Sequence, residues 1–258
     1  MKAFKIVWAE VQRHNFVADN YNSPEIIFPL IFDGASTQSW GGVTYLMAGA
    51  MGGGEIPAYD TIGITAQWGI IRVLPNLVNQ FEPGDVRATF WSKGQSLEVD
   101  DIEIFADGYL STKFRNRKLD GSPSDSDHAT HPDTDFPMFR LGDAYLMYAE
   151  AVLRGGGGSL TDALSYVNDL RSRAGVSTIA QNELTLDFIL DERSRELFWE
   201  GHRRTDLIRF GQFTSGTYVW PWKGNVADGK PTEAFRNRYP VPNTQLNANP
   251  NLIQNSGY

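Results

Sequence analysis

At 258 residues the chain is long enough for a real core, as one large domain or two small ones. A net charge of −8 disfavours a nucleic-acid phosphate partner, and the lack of cysteine removes disulfides, thiolate chemistry and cysteine-type zinc sites. No apolar run approaches the roughly 18–20 residues of a membrane span, and MKAFKIVWAEVQRHNFV is too interrupted by polar residues for a signal peptide, so the chain reads as soluble.

The first 135 residues are loop-rich and aromatic-rich. A short helix is expected over residues 1–16, with Phe4, Val7, Trp8 and Val11 as its apolar positions. EIIFPLIF is an apolar run broken by Pro29, which points to an extended edge segment rather than a helix. STQSWGGVTYLMAGAMGGG mixes glycine with aromatics and is expected to be a surface loop presenting Trp40 and Tyr45. The alternative is that Trp40 plugs a gap between irregular segments. A helix is expected across Ile70–Phe81, started or kinked by Pro75. RATFWSKGQ and EVDDIEIFADGYLSTKF alternate as short strands do, with Asp107-Gly108 as a hairpin turn, which predicts a small antiparallel sheet element.

Residues 115–136 are rich in Gly, Pro, Ser and Asp and read as a long polar loop. His128, His131, Asp133 and Asp135 fit no specific metal spacing. No cofactor is expected, and a loosely held structural calcium ion on the Asp-rich part is the alternative.

Helical order dominates residues 136–258, up to an irregular tail. FRLGDAYLMYAEAVLR places Leu141, Tyr145, Tyr148 and Val152 at helical spacing and stops at Gly155–Gly158. Ser159 with Asp162 opens the next helix, which Gly175 ends. One long helix is then expected over Leu186–Gly211, capped by Thr185, with Leu186, Ile189, Leu190 and Leu197 on one face. Arg193 lies on that same stripe and needs a carboxylate partner. An ion-pair network of Arg193, Glu196, Glu200, Arg203, Arg204 and Asp206 is expected, with Glu192 and Arg195 beside it. Helix, turn, helix, turn, helix is the pattern of tetratricopeptide-like hairpins, so the fold class is mainly α, with these hairpins packed on the loop-rich part as one compact unit. The tail RYPVPNTQLNANPNLIQNSGY carries Pro240, Pro242 and Pro250 and is expected to run irregularly along a pre-formed surface.

Three ordered motifs, FRLGDAYLMYAEA, ERSRELFWEGHRRTDLIRFG and YPVPNTQLNANPNLIQNSGY, together with EIIFPLIFDG and QSWGG, resemble the SusD/RagB family of outer-membrane nutrient-binding lipoproteins from Bacteroidetes-type bacteria. The resemblance covers about the C-terminal half of a full member. The family's signal peptide, lipid-bearing cysteine and first tetratricopeptide-like helices have no counterpart, as expected of a truncated chain. The resemblance implies non-catalytic glycan binding at the cell surface, in the service of polysaccharide uptake through a SusC-like TonB-dependent transporter. It also implies an arc of aromatic side chains that stack on sugar rings. Composition and loop position nominate Trp40, Tyr45, Gln38, Asp60 and Trp68 as glycan ligands.

Two other readings compete. A glycoside hydrolase needs two carboxyl groups flanking the bond with pKa values set apart, and the arginines around Glu196 and Glu200 would keep both ionised. An interaction scaffold of tetratricopeptide-like helices has no use for exposed Trp40 and Tyr45.

Overall fold

Glycine and proline cut the first 140 residues into short pieces. The computed structural model describes residues 10–258, so the expected helix at the N-terminus lies largely outside the described residues and only α1 (Glu10–His14) is seen. After it come β1 (Ile26–Leu30), α2 (Gly42–Ala50), α3 (Tyr59–Ile62), α4 (Pro75–Val78), β2 (Phe90–Trp91) and β3 (Leu110–Ser111). By contacts the chain forms two units, one ending at His202 and one spanning Arg203–Tyr258. The change of composition at residues 135/136 falls inside the first. Among the described residues no helix is long and apolar enough to cross a membrane.

Three local expectations are corrected. The glycine-rich loop is helical from Gly42, because Val43, Met47, Ala48, Ala50 and Met51 form an apolar face that is buried. The helix over Ile70–Phe81 shrinks to α4, with Pro75 in its first turn. Upstream of it, Ile70 and Ile71 both donate to Gly49 O at 2.9 Å. No hairpin closes at Asp107-Gly108. The Asp107 carboxylate instead accepts from the N–H groups of Asp100 and Asp101 at 3.0 and 3.1 Å, and β3 pairs antiparallel with β2.

β4 (Phe136–Arg140) pairs antiparallel with β1, setting Pro29 opposite Pro137 in a two-stranded sheet where missing N–H groups break no inner ladder. It leads directly into α5 (Leu141–Leu153), followed by α6 (Leu160–Arg173) and α7 (Leu186–Leu197). Ser159 Oγ accepts from Asp162 N at 3.1 Å and Thr185 Oγ1 from Phe188 N at 3.2 Å, the caps the sequence predicts. α5 packs on both α6 and α7 around Leu146, Ala149, Ala163, Val167, Leu170 and Ile189. Tyr145 stacks on Tyr166 with ring centres 4.4 Å apart.

The long helix expected through Gly211 is two helices. α7 stops at Leu197, Phe198 is extended, Trp199 takes a left-handed φ of 66°, and α8 is Arg203–Arg209. A left-handed tryptophan costs roughly 1–2 kcal/mol. The carbonyls released at this break are taken by buried cations: Lys113 Nζ donates to Glu196 O at 3.1 Å and Phe198 O at 2.7 Å, and Arg140 Nη2 to Glu196 O at 2.8 Å. In the second unit the tail folds on itself and contains α9 (Asn243–Ala248). Gln254 bonds both the N–H and the carbonyl of Val241, at 2.8 and 3.0 Å, and Tyr258 Oη donates to Arg238 O at 2.6 Å.

A buried ion network joins the elements of the first unit. Arg140 donates from Nε to Glu200 at 2.6 Å and from Nη1 to Glu25 and Glu196, each at 2.7 Å. Arg173 reaches Glu25 at 2.6 Å and also binds Glu196. Arg87 pairs with Asp85, with Glu192 at 2.6 Å and with Glu196 at 3.2 Å, and Lys113 with Glu200 at 2.5 Å. Glu192 also bonds Arg195 one turn along α7, at 2.6 Å, while Arg193 donates to Asp143 on α5 at 2.8 Å. The network therefore differs from the expected one. α7 is enclosed by other elements, so most partners of Glu196 and Glu200 come from elsewhere in the chain. Gly142 leaves room beside it: a Cβ there would fall 2.5 Å from Arg140 Nη1 and 2.9 Å from Glu25 Oε1 and would displace these paired groups.

Burial opposes ionisation of Glu25, Glu192, Glu196 and Glu200, but the adjacent guanidiniums, with Lys113 at Glu200, outweigh it and hold all four below the ordinary glutamate value. Burial pushes the Lys113 ammonium down to about 8 against the pull of Glu200. Glu196→Gln should lower the unfolding free energy by roughly 3–5 kcal/mol in urea titration, since it leaves buried guanidiniums undercompensated. The four depressed glutamates bind protons more readily in the unfolded chain. Their contribution is complete above the ordinary value of 4.5 and is lost as pH falls through and below it. Melting temperatures measured from about pH 7 to about pH 3 should therefore hold steady down to about pH 5 and then drop.

Candidate functional site

The end of α2 builds a surface of aromatic rings. A helix leaves its last carbonyls without partners. Here the extended segment after α3 supplies them: Trp68 N donates to Ala48 O at 2.9 Å, Gly69 N to Met51 O at 2.7 Å, and the N–H groups of Ile70 and Ile71 to Gly49 O. The two backbones approach so closely that a Cβ on Gly52 would lie 2.9 Å from Gly69 Cα. This seam places Trp68 against the helix that carries Tyr45.

Tyr45 lies opposite the buried face of α2, and Trp40 stands in the loop just before it. They are 43% and 64% exposed. The rings of Trp40 and Tyr45 each lie 6.0 Å from Trp68, so three of the five nominated residues form one continuous arc. Trp68 is half-buried and packs on the core around Val43 and Met47. Gln38 lies exposed on the same loop as Trp40, with its amide donating to Gly34 O at 2.7 Å. Asp60 belongs to a separate cluster. Its carboxylate is 98% exposed and lies 3.5 Å from Arg117, whose guanidinium also stacks on Tyr59.

Sequence reasoning missed His131 as a support. Its ring meets Trp40 edge-on at 4.8 Å, and its Nδ1 lies 3.3 Å from Ser39 O. His128 stands 5.0 Å behind it, with Nδ1 accepting from the N–H groups of Thr130 and His131. The aspartates considered for calcium are occupied by backbone. Asp133 accepts from Gly34 and Ser126, both at 2.8 Å, and Asp135 from Phe32 at 2.9 Å. No group of three or more His, Asp or Glu that could hold a metal is found among the described residues. Arg72 was also passed over. It is anchored to Phe105 O at 2.8 Å, and its Nη2 lies 3.3 Å from where a Cβ on Gly69 would be, beside Trp68.

Glu196 and Glu200 cannot divide the roles of acid and base. Both are fully buried, both accept from cations, and both are held in the ionised form. In the second unit Arg203 donates to Tyr218 Oη at 2.7 Å and Asp206 accepts from Arg209 at 2.7 Å. Arg204 corrects expectation: it pairs with no carboxylate among the described residues and stacks on Tyr239 at 3.9 Å.

The sequence profile of the SusD family matches residues 87–258. The starch-binding protein SusD of Bacteroides thetaiotaomicron is 34% identical over an alignment covering 94% of this chain and 51% of that protein. Surface glycan-binding protein A from Bacteroides thetaiotaomicron, solved in complex with laminarihexaose, has a TM-score of 0.72 at 22% identity, covering 98% of this chain and 56% of that one. A SusD superfamily protein from Parabacteroides distasonis has a TM-score of 0.70 at 21% identity, covering 100% and 55%. The chain thus spans about half the length of these relatives. The two structural likenesses establish the fold, mainly helical with a small antiparallel sheet, and the profile match, which covers more than half of the chain, shows that this chain belongs to the SusD family.

Proposed function

We propose that this chain binds glycans without cleaving them, at the arc of Trp40, Tyr45 and Trp68, for delivery at the outer-membrane surface to a SusC-like TonB-dependent transporter. The observation that carries the reading is the arc itself: three rings linked at 6.0 Å, two of them exposed, with Trp68 held by the backbone seam against the helix that carries Tyr45. Sugar rings present apolar C–H faces that stack on such surfaces, and their hydroxyls take polar partners at the rim. Gln38 stands beside Trp40 in that role, His131 holds Trp40 from behind, and Asp60 is left out because its carboxylate faces Arg117. The names of the relatives support the ligand class, since one is a starch-binding protein and another was solved with laminarihexaose. Family membership supports the surface location and the transporter partner.

Affinity electrophoresis through gels containing starch, laminarin, inulin or xylan tests the reading. At least one polysaccharide should retard the protein, and Trp40→Ala with Tyr45→Ala should weaken that binding tenfold or more, about 1.4 kcal/mol. Retardation in no gel, or an undiminished shift in the double variant, would count against the arc. Release of reducing ends would overturn the non-catalytic assignment. Arg193→Ala removes a buried partner of Asp143 far in sequence from the arc, and should lower the melting temperature while leaving retardation intact.

A further inference from the structure

The second unit carries seven Lys and Arg against three Asp and Glu, in a chain whose net charge is −8. Within it lies a cleft of about 500 Å³, lined by Arg204, Trp220, Lys230, Thr232, Tyr239 and Tyr258 among others. That volume suits a sugar-sized ligand better than a bare inorganic ion. Tyr239 is 69% exposed and Tyr258 46% exposed, and Trp220 is half-buried beside them.

The cations on this cleft are not equivalent. Lys223 is buried and spends its ammonium on Ser215 O and Tyr218 O, both at 2.6 Å, so it shapes the wall. Arg236 is paired with Glu233, the only carboxylate among the lining residues, at 2.6 Å. Neither Arg204 nor Lys230 makes a salt bridge among the described residues, although Lys230 lies near enough to Glu233 to favour its charged form. The Arg204 guanidinium is held between the rings of Tyr239 and Phe213, at 3.9 and 4.9 Å, and donates from Nη2 to Arg236 O at 2.8 Å. Stacking restrains its plane, and among the described residues the Nε and Nη1 donors have no protein acceptor. The Lys230 stem crosses Gly224, where a Cβ would fall 2.8 Å from Lys230 Cγ, so a glycine is needed there for the lysine to lie along the cleft. Every arginine of the network in the first unit is salt-bridged to a carboxylate; among the described residues Arg204 is held by stacking and by a carbonyl instead.

We propose that this cleft is a second binding site, separate from the aromatic arc, for an acidic sugar residue of an oligosaccharide. Its anionic group, a uronate carboxylate or a sulfate ester, meets the planar donors of Arg204 and the ammonium of Lys230. Its ring lies against Trp220 and Tyr239, with Thr232 within the lining to take a hydroxyl.

Calorimetric titration of the full chain with oligogalacturonate, a sulfated galactan oligosaccharide, maltohexaose and inorganic sulfate tests this. At least one acidic oligosaccharide should bind, with affinity falling as NaCl rises, and whichever binds identifies the anion. Lys230→Ala combined with Tyr239→Ala changes two exposed side chains and should weaken that binding tenfold or more. Arg204→Lys, which keeps the charge but not the planar fork, should do the same. Trp40→Ala with Tyr45→Ala should leave it unchanged, so loss of neutral-glycan binding in that variant bears on the arc alone. Circular dichroism melts establish that each variant is folded. The proposal is overturned if neither acidic oligosaccharide binds, if inorganic sulfate binds as tightly as they do, or if folded cleft variants bind as well as the parent.

Discussion

All five N–H donors of the Arg140 guanidinium are used, on Glu25, on the side chain and carbonyl of Glu196, and on both oxygens of Glu200. The residue sits at the end of β4, where the small sheet gives way to the helices. Glu25 precedes β1 and caps the start of α5, accepting from Leu141 N at its carbonyl and from Gly142 N at its carboxylate. Glu196 closes α7. One planar cation thereby fixes sheet, hairpin and helix end against each other. In a low-dielectric interior such a group is tolerated only with its partners complete, which explains why Arg87, Arg173 and Lys113, with Asp85 and Glu192, are drawn in around it.

That interior makes the contrast with the surface informative. Within this network cations and carboxylates are matched and buried, so they stabilise geometry and have no capacity left for a ligand. Outside it, the rings of Trp40 and Tyr45 are exposed beside Trp68, whose backbone is held by the end of α2. The same logic separates Lys223 from Lys230 in the second unit. Lys223 satisfies carbonyls and builds the wall, whereas Lys230 is exposed and forms no salt bridge among the described residues.

Much of this was legible in the chain, for local reasons. α5, α6 and the start of α7 follow from helical spacing, from Ser159 and Thr185 as caps, and from the glycines that end the runs. β1 follows from an apolar run around Pro29. Where the structure departs from the reading, the decisive partner is distant. α7 stops at Leu197 although Phe198–Gly211 has helical composition apart from Gly201, because Lys113 and Arg140 take its last carbonyls. α2 escaped notice because its glycines mask four buried apolar residues, Val43, Met47, Ala48 and Ala50. Trp40, Tyr45 and Trp68 were nominated by aromatic composition in a glycine-rich context, but their convergence depends on main-chain bonds between residues 48–51 and 68–71, which no side-chain pattern announces. His131 was weighed as a metal ligand, and its packing on Trp40 spans 91 positions of sequence.

The ion network also dictates an order of folding. Its members run from Glu25 to Glu200, so no fragment ending before Glu200 can complete it, and each charge must stay hydrated until its partners arrive. Stripping that water before the last pair closes is unfavourable, which places the closure late and makes its reversal slow, since opening exposes bare charges before solvent can reach them. A network sealed in this way opposes unfolding through a barrier as well as through an equilibrium, because the Arg140–Glu196 contact must open before water can hydrate either charge.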